Sequence, residues 1–415
     1  MLLTQKRTEP DPGSSSKELP SGPAAGDAVR GDFRERAERV AQVAAAHAAS
    51  VDSDGRFPHE CLAALKAERL LGILVPESLG GEGASLGEVA DVCFLLGQAC
   101  SSSGMIYAMH QVKVGCITRH CSDRPRLVRM LRALCAEQLL LASSTTEGRR
   151  GGDIRSSEAP LEHHEGGRIT LERRASVISY GAHADGLVTT ARRAADAAPS
   201  DQVLVALLKS DYTLTLLTGW DALGMRGTCS EGYTLSARAH AGQILADPYG
   251  VIHTRTMVPF AHLLWGSVWA GIAAGATQRA QAFIRHAMRH GNGQLPPGAP
   301  QFTRALTTLR TLRSTLASSL RRYTECMDDP QALDSLDFQT LITLTKVEAS
   351  ELAAATVMSA MRACGLSGYR NDGDYSIGRF LRDVLSSPIM INNERILSSL
   401  AASALMSPIP KFLSE

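Results

Sequence analysis

The chain has 415 residues, of which 44% are hydrophobic and 20% charged, and its formal net charge is +1. That length is ample for two or three domains with real cores. The balanced charge excludes the large basic or acidic fields expected of proteins that bind nucleic acid or anionic membranes. Nine scattered cysteines (Cys61, Cys93, Cys100, Cys116, Cys121, Cys135, Cys229, Cys326 and Cys364) form no CxxC pair. Their odd number argues against a disulfide framework, and small core thiols in a reducing cytoplasm are expected, with no metal site. No apolar run approaches the length of about 18–20 residues that a membrane span needs.

Residues 1–31 are rich in Pro, Ser, Gly and charge and read as a disordered tail. From 32 to 50, apolar residues recur at the spacing of a helix face (Phe33, Ala37, Val40, Val43, Ala44). A second helix is expected over 58–70, opened by Pro58. A Pro/Gly loop follows, and Ser85 with Glu88 forms a capping-box pattern ahead of a helix over 86–100. Two more helices are expected over 103–121 and 124–136.

The pattern changes at 139, where short β-branched runs appear between Gly, Asp and His turns: RITLERRASVISY, DGLVTTAR, QVLVALLK and YTLTLL. They predict a small antiparallel β-barrel or sandwich over about 139–245. No helices alternate with these strands and no GxGxxG occurs, so a Rossmann sheet is disfavoured. Long helical patterns return at 255–290, 301–327, 332–363 and 376–405, as in a four-helix bundle. The first carries small residues at Gly266, Ala270, Ala273 and Ala274, which allow close helix approach. The expected division is a tail over 1–31, a helical domain over 32–137, a β-domain over 138–248 and a helical bundle over 249–415.

Four local sequences sharpen this order. LGILVPESLGGEGASLGEVA (71–90), TTEGRRGGD (145–153), WDALGMRGTCS (220–230) and CGLSGYRNDGDYSIGRFLRD (364–383) resemble, in order and spacing, four segments of the acyl-CoA dehydrogenase superfamily. Together they span nearly all of 32–405. The resemblance implies an α+β multidomain fold: a helical N-terminal domain, a middle β-barrel and a C-terminal four-helix bundle. It also implies an FAD cofactor, an acyl thioester substrate carried on CoA or a carrier protein, and a homodimer or homotetramer. Thr145 and Thr146 match the segment that reaches the flavin ring, and Ser179 matches a hydroxyl residue near flavin N5. Such donors would stabilise charge on a reduced flavin. Gly365 and Gly368 fall where the family approaches the ADP half of FAD bound by a neighbouring subunit; Gly365 equally reads as a helix stop.

The chain departs from the family where the reaction is decided. The superfamily's dehydrogenases remove an α-proton with a Glu from one of two places. One falls here on Ile391 and the other near Trp265, and neither side chain accepts a proton. Glu394 lies about one helical turn beyond the first place. His110 and His262 are the other candidate bases or acids. The Arg-x-x-Phe-Gly that helps hold FAD pyrophosphate is absent, Val177 replaces an aromatic residue beside the flavin, and Gly152 replaces a Ser. Three readings stay open: thioester dehydrogenation or oxidation with an unconventional base, a flavin-dependent monooxygenase on the same fold, and a non-redox paralogue using the thioester pocket.

Overall fold

A computed structural model describes residues 32–147, 156–406, 409 and 411. The expected tail over 1–31 and Gly152 lie outside the described residues. The account below concerns the unit Phe33–Glu415.

Five helices come first: α1 (Phe33–Ser53), α2 (His59–Ala67), α3 (Leu86–Ala99), α4 (Ser101–His120) and α5 (Pro125–Glu137). The expected capping box opens α3. The Glu88 N–H donates to Ser85 Oγ at 3.3 Å, and the Ser85 N–H donates to the Glu88 carboxylate at 2.8 Å. Pro125 stands at the start of α5, where a missing N–H costs nothing.

Among the described residues seven strands follow: β1 (Leu141–Ser144), β2 (Glu162–His163), β3 (Arg168–Ser179), β4 (Gly186–Arg192), β5 (Gln202–Leu208), β6 (Tyr212–Thr218) and β7 (Ser230–His240). The expected single antiparallel barrel is not what they form. They make two sheets, ordered β1-β4-β5 and β2-β3-β7-β6, with no closed barrel among the described residues. β1 runs parallel to β4, because the chain leaves β1 and returns only after it has built β2 and β3 of the other sheet. Leu171 and Ala237 of one sheet face the same apolar space as Val205 and Leu207 of the other.

Helices resume with α6 (Tyr249–Ile252), α7 (Val258–His290), α8 (Ala299–Cys326), α9 (Pro330–Asp334), α10 (Leu336–Cys364), α11 (Leu366–Tyr369), α12 (Gly378–Val384) and α13 (Asn393–Ala404). Tyr249–His290 is one stretch that is long and apolar enough to cross a membrane, yet most of its apolar window is buried inside the fold. Within the expected stripe, a Cβ on Gly266 would lie 2.6 Å from the Leu316 side chain of α8. Outside that stripe, a Cβ on Gly271 would lie 2.2 Å from the Phe94 carbonyl of α3, so only glycine lets α7 and α3 touch backbone to backbone.

The expected fourth long helix, 376–405, is instead broken into α12 and α13. Pro388 supplies no N–H, and Ile391 takes φ +49°, a left-handed conformation that a helix cannot continue through. The bundle therefore has three long helices, and the break forms a turn over 385–392.

One buried contact joins the bundle to the β-region. The Asp383 carboxylate accepts the Met225 N–H at 2.6 Å. A Cβ on Gly224 would sit 2.1 Å from the Arg382 carbonyl. Gly224→Ala is therefore expected to destabilise the fold by about 1–3 kcal/mol, the usual cost of overpacking, as measured by urea unfolding.

Candidate functional site

The Met225 contact is the start of a line of hydroxyls. Met225 opens a tight turn over 225–229 that delivers Ser230 to the first position of β7. There Ser230 pairs across the sheet with Ser179, the last residue of β3. The two hydroxyls lie 2.8 Å apart, and Thr228 Oγ1 lies 2.7 Å from Ser230 Oγ. Thr228 Oγ1 in turn donates to the Met225 carbonyl at 2.8 Å. Ser230 and Thr228 are buried, whereas Ser179 is half-buried.

The buried Tyr180 hydroxyl donates to the Leu141 carbonyl at 3.0 Å and ties the end of β3 to β1. β1 runs directly into Thr145 and Thr146, both half-buried. At its end, Ser144 Oγ is buried and has no hydrogen-bond partner among the described residues. Glu147 holds this segment. Its carboxylate accepts from Ser157 Oγ at 2.7 Å and from the Glu158 N–H at 2.7 Å, and it faces buried Arg173 at 3.5 Å. Burial pushes the Glu147 carboxyl up, but these donors and Arg173 outweigh it and hold it below the usual carboxylate range.

Around this hydroxyl edge the surface is apolar. Val177 of β3, Leu216 and Leu217 of β6, and Trp220 and Leu223 in the stretch leading to the Met225 turn are all exposed. Both β3 and β6 are irregular where they flank Gly232 of β7, next to Ser230. A polar edge of hydroxyls next to an open apolar surface fits a flavin, whose ring is flat and apolar on its faces and hydrogen-bonds along one edge. Among the described residues no group of three or more His, Cys, Asp or Glu could hold a metal ion.

At Ile391 and near Trp265, where the sequence resemblance would put a base, the side chains are apolar. Ile391 is a β-branched residue at positive φ, which costs backbone energy and persists only where its surroundings impose it. They do so here: Lys346, fully buried on α10, donates to the Ile391 carbonyl at 2.9 Å and to Asn393 Oδ1 at 2.6 Å. Asn393 Nδ2 then donates to Ser350 Oγ at 3.0 Å and to Glu351 Oε1 at 2.8 Å. Burial pushes the Lys346 pKa down to about 8. On α7, the Trp265 and Trp269 indole N–H groups are buried with no acceptor among the described residues.

The histidines divide. His110 is fully buried with both ring nitrogens engaged: the Leu141 N–H donates to Nδ1 at 3.0 Å, and Nε2 donates to the Leu71 carbonyl at 2.8 Å. It staples α4 to the loop after α2 and to the start of β1, and has no nitrogen left for a substrate. Buried His262 donates from Nδ1 to the Ile342 carbonyl at 3.0 Å, so its Nε2 keeps a lone pair. Burial pulls both pKa values down to about 4. Glu394 is exposed on the first turn of α13. Gly365 ends α10 at φ +57° with its N–H bonded back to the helix, and a Cβ on Gly368 would meet Cys364 at 2.6 Å; helix ending and packing account for both glycines.

Lys346, Asn393 and Trp269 were not among the sequence candidates, because only the fold brings them to the Ile391 turn or to α7. Thr228 and Ser230 stand inside the GTCS segment, and their alternating hydroxyls were the available signal.

Comparison with known proteins places these features in a family. A model described as "Acyl-CoA dehydrogenase, N-terminal domain" matches residues 29–137, and one described as "Acyl-CoA dehydrogenase, C-terminal domain" matches 255–405, together more than half of the chain. "Probable acyl-CoA dehydrogenase FadE25" of Mycobacterium tuberculosis is 25% identical over 404 residues, covering 95% of this chain and 98% of the relative. FMN-bound TdsC from Paenibacillus sp. A11-2 superposes with a TM-score of 0.80 at 18% identity, over 91% of this chain and 98% of that one. A nitrososynthase from Micromonospora carbonacea var. africana gives 0.77 at 21% identity, over 92% and 98%. At these identities the two structures share the fold.

Two predictions follow from the site's buried groups. His110 and His262 have folded pKa values near 4 against 6.5 in the unfolded chain, so the unfolded chain takes up protons first as pH falls. Their stability contribution is intact above pH 6.5 and is lost toward pH 4, by about 2 kcal/mol per histidine at pH 5. Urea unfolding at pH 7 and pH 5 measures the loss, and His110→Gln should remove one histidine's share. Ile391→Gly should stabilise the fold by about 1 kcal/mol, since glycine occupies positive φ without the side-chain penalty.

Proposed function

The chain belongs to the acyl-CoA dehydrogenase superfamily, and on that premise we propose that it is a flavin-dependent monooxygenase rather than a thioester dehydrogenase. The observation that carries this reading is the pair Ile391 and Trp265. Both customary base positions lack a proton acceptor, while the hydroxyl residues Thr145, Thr146, Ser179 and Ser230 are kept. α,β-Dehydrogenation needs a base within hydrogen-bond reach of an acidic C–H. Oxygen insertion needs no such carboxylate.

Thr145, Thr146 and Ser179 would hold the polar edge of the flavin, with Ser144 as a further hydroxyl and Val177 and Trp220 as apolar neighbours. Reduced flavin, when bound, supplies two electrons so that dioxygen delivers one oxygen atom to the substrate and the other to water. The chain carries no nicotinamide fingerprint, so a separate reductase would provide the reduced flavin. His262 is the buried ring with a free lone pair, and because burial keeps it neutral it would serve as a hydrogen-bond acceptor rather than as a base. The likeness to TdsC and to the nitrososynthase is consistent with this reading.

A second reading keeps thioester chemistry. It is supported by the relative FadE25, and by Lys346, a buried amine with a lowered pKa placed directly under the Ile391 turn. One experiment separates the two. The protein is purified with its flavin, and the cofactor's mass distinguishes FAD, usual in the family, from FMN. The oxidised protein is then mixed anaerobically with acyl-CoA thioesters. The expected outcome is no bleaching by thioesters and full bleaching by a flavin reductase with NADH, followed by rapid reoxidation in air. Bleaching by a thioester alone would overturn the monooxygenase reading.

A further inference from the structure

The geometry assigns a direction to the hydroxyl line. We propose that Thr228 and Ser230 are positioning residues that turn the Ser179 hydroxyl into a hydrogen-bond acceptor toward the flavin. This rests on the flavin reading above and goes beyond it, because a hydroxyl beside flavin N5 is otherwise expected to donate.

Each serine or threonine hydroxyl has a single hydrogen. Thr228 Oγ1 lies 2.8 Å from the Met225 carbonyl, which can only accept. Two oxygens this close need a hydrogen between them, so the Thr228 hydrogen is spent there. In the 2.7 Å contact between Thr228 and Ser230 the hydrogen must then come from Ser230. Ser230 is spent in turn, and the 2.8 Å contact with Ser179 is made by the Ser179 hydrogen. Ser179 is left with lone pairs only. Thr228 is 2% exposed and Ser230 6%, so bulk water does not compete for either hydroxyl. Ser179 is the half-buried member and the open end of the line. Its far end is anchored, because the Met225 turn is held by the Asp383 carboxylate at 2.6 Å.

A lone-pair donor distinguishes the two states of a flavin. The reduced ring carries a hydrogen on N5, which the Ser179 oxygen would accept. The oxidised ring presents a bare nitrogen there, which that oxygen would repel. The line therefore favours the reduced cofactor, the form that a monooxygenase must take up and hold before oxygen arrives.

The test measures binding and potential rather than turnover. Dissociation constants for oxidised and for anaerobically reduced flavin, and the two-electron potential of the bound flavin, are compared for the full chain and its variants. Ser230→Ala removes the acceptor for the Ser179 hydrogen and frees that hydroxyl to donate. The preference for reduced flavin should fall about five-fold, the worth of roughly one hydrogen bond. That corresponds to a potential lower by about 20 mV for a two-electron couple. Thr228→Val, which no longer forces the direction, should lower the preference to a lesser extent, and Thr228→Ser should keep the wild-type value. If Ser230→Ala does not hold flavin, the two Thr228 variants give the same comparison. An unchanged or raised potential in Ser230→Ala, or in Thr228→Val where that variant serves instead, overturns the assignment while leaving the flavin reading intact. Failure of the wild-type chain to bind flavin in either state overturns both.

Discussion

The buried hydrogen bond from the Met225 N–H to the Asp383 carboxylate is the contact on which the site depends. It lies between residues 158 positions apart. Burial raises the Asp383 pKa, and the Met225 N–H and Ser101 hydroxyl act against that rise by favouring the carboxylate. Its neighbours complete the joint. Arg382 pairs with Asp52 at the end of α1, and Arg226 donates to the Asp52 carbonyl at 2.7 Å. Three segments distant in sequence are thereby fixed at one point, and the turn from Met225 to Ser230 inherits that rigidity. The hydroxyl line begins on the carbonyl of the residue whose N–H is clamped. Fixing one residue on both sides of its Cα thus helps fix the orientation of a hydroxyl at the far end of the line.

The chemistry follows from what this scaffold keeps and what it has exchanged. The polar edge formed by Thr145, Thr146 and Ser179 is present, and Glu147 pins the segment that carries the two threonines. The positions that should provide a base are apolar. The turn that should present a carboxylate presents Ile391 instead, held in an unfavourable conformation by Lys346 and Asn393. A buried lysine committed to a backbone carbonyl shapes that turn. On the reading proposed above, this site would hold a flavin with no base at Ile391 or near Trp265, and oxygen chemistry would suit it better than proton abstraction from a thioester.

Much of this could be read in the residues, and the failures have physical causes. The first five helices, the Ser85–Glu88 box and the close-packing stripe on α7 were legible because periodicity and caps are local signals. β1 has four residues and pairs in parallel with a strand more than forty positions away, so neither its partner nor the split into two sheets was visible. The break before α13 was hidden because Ile391 is an ordinary helix or strand residue whose positive φ is imposed by a lysine 45 positions earlier. His110 looked like a candidate because its two partners, Leu71 and Leu141, are 39 and 31 residues away. The expected loss of the carboxylate at Ile391 rests on the spacing from Arg382-Asp383 in the sequence alone.

The central claim is that the flavin edge meets the Ser179 and Thr146 hydroxyls while the Ile391 side of the pocket offers no carboxylate. A crystal structure of the flavin complex tests it most directly. The expected result has the ring's polar edge within hydrogen-bond distance of both hydroxyls, with Glu394 still on the surface of α13. A ring seated elsewhere, or a turn over 385–392 that rearranges to bring Glu394 against the substrate space, would contradict the account.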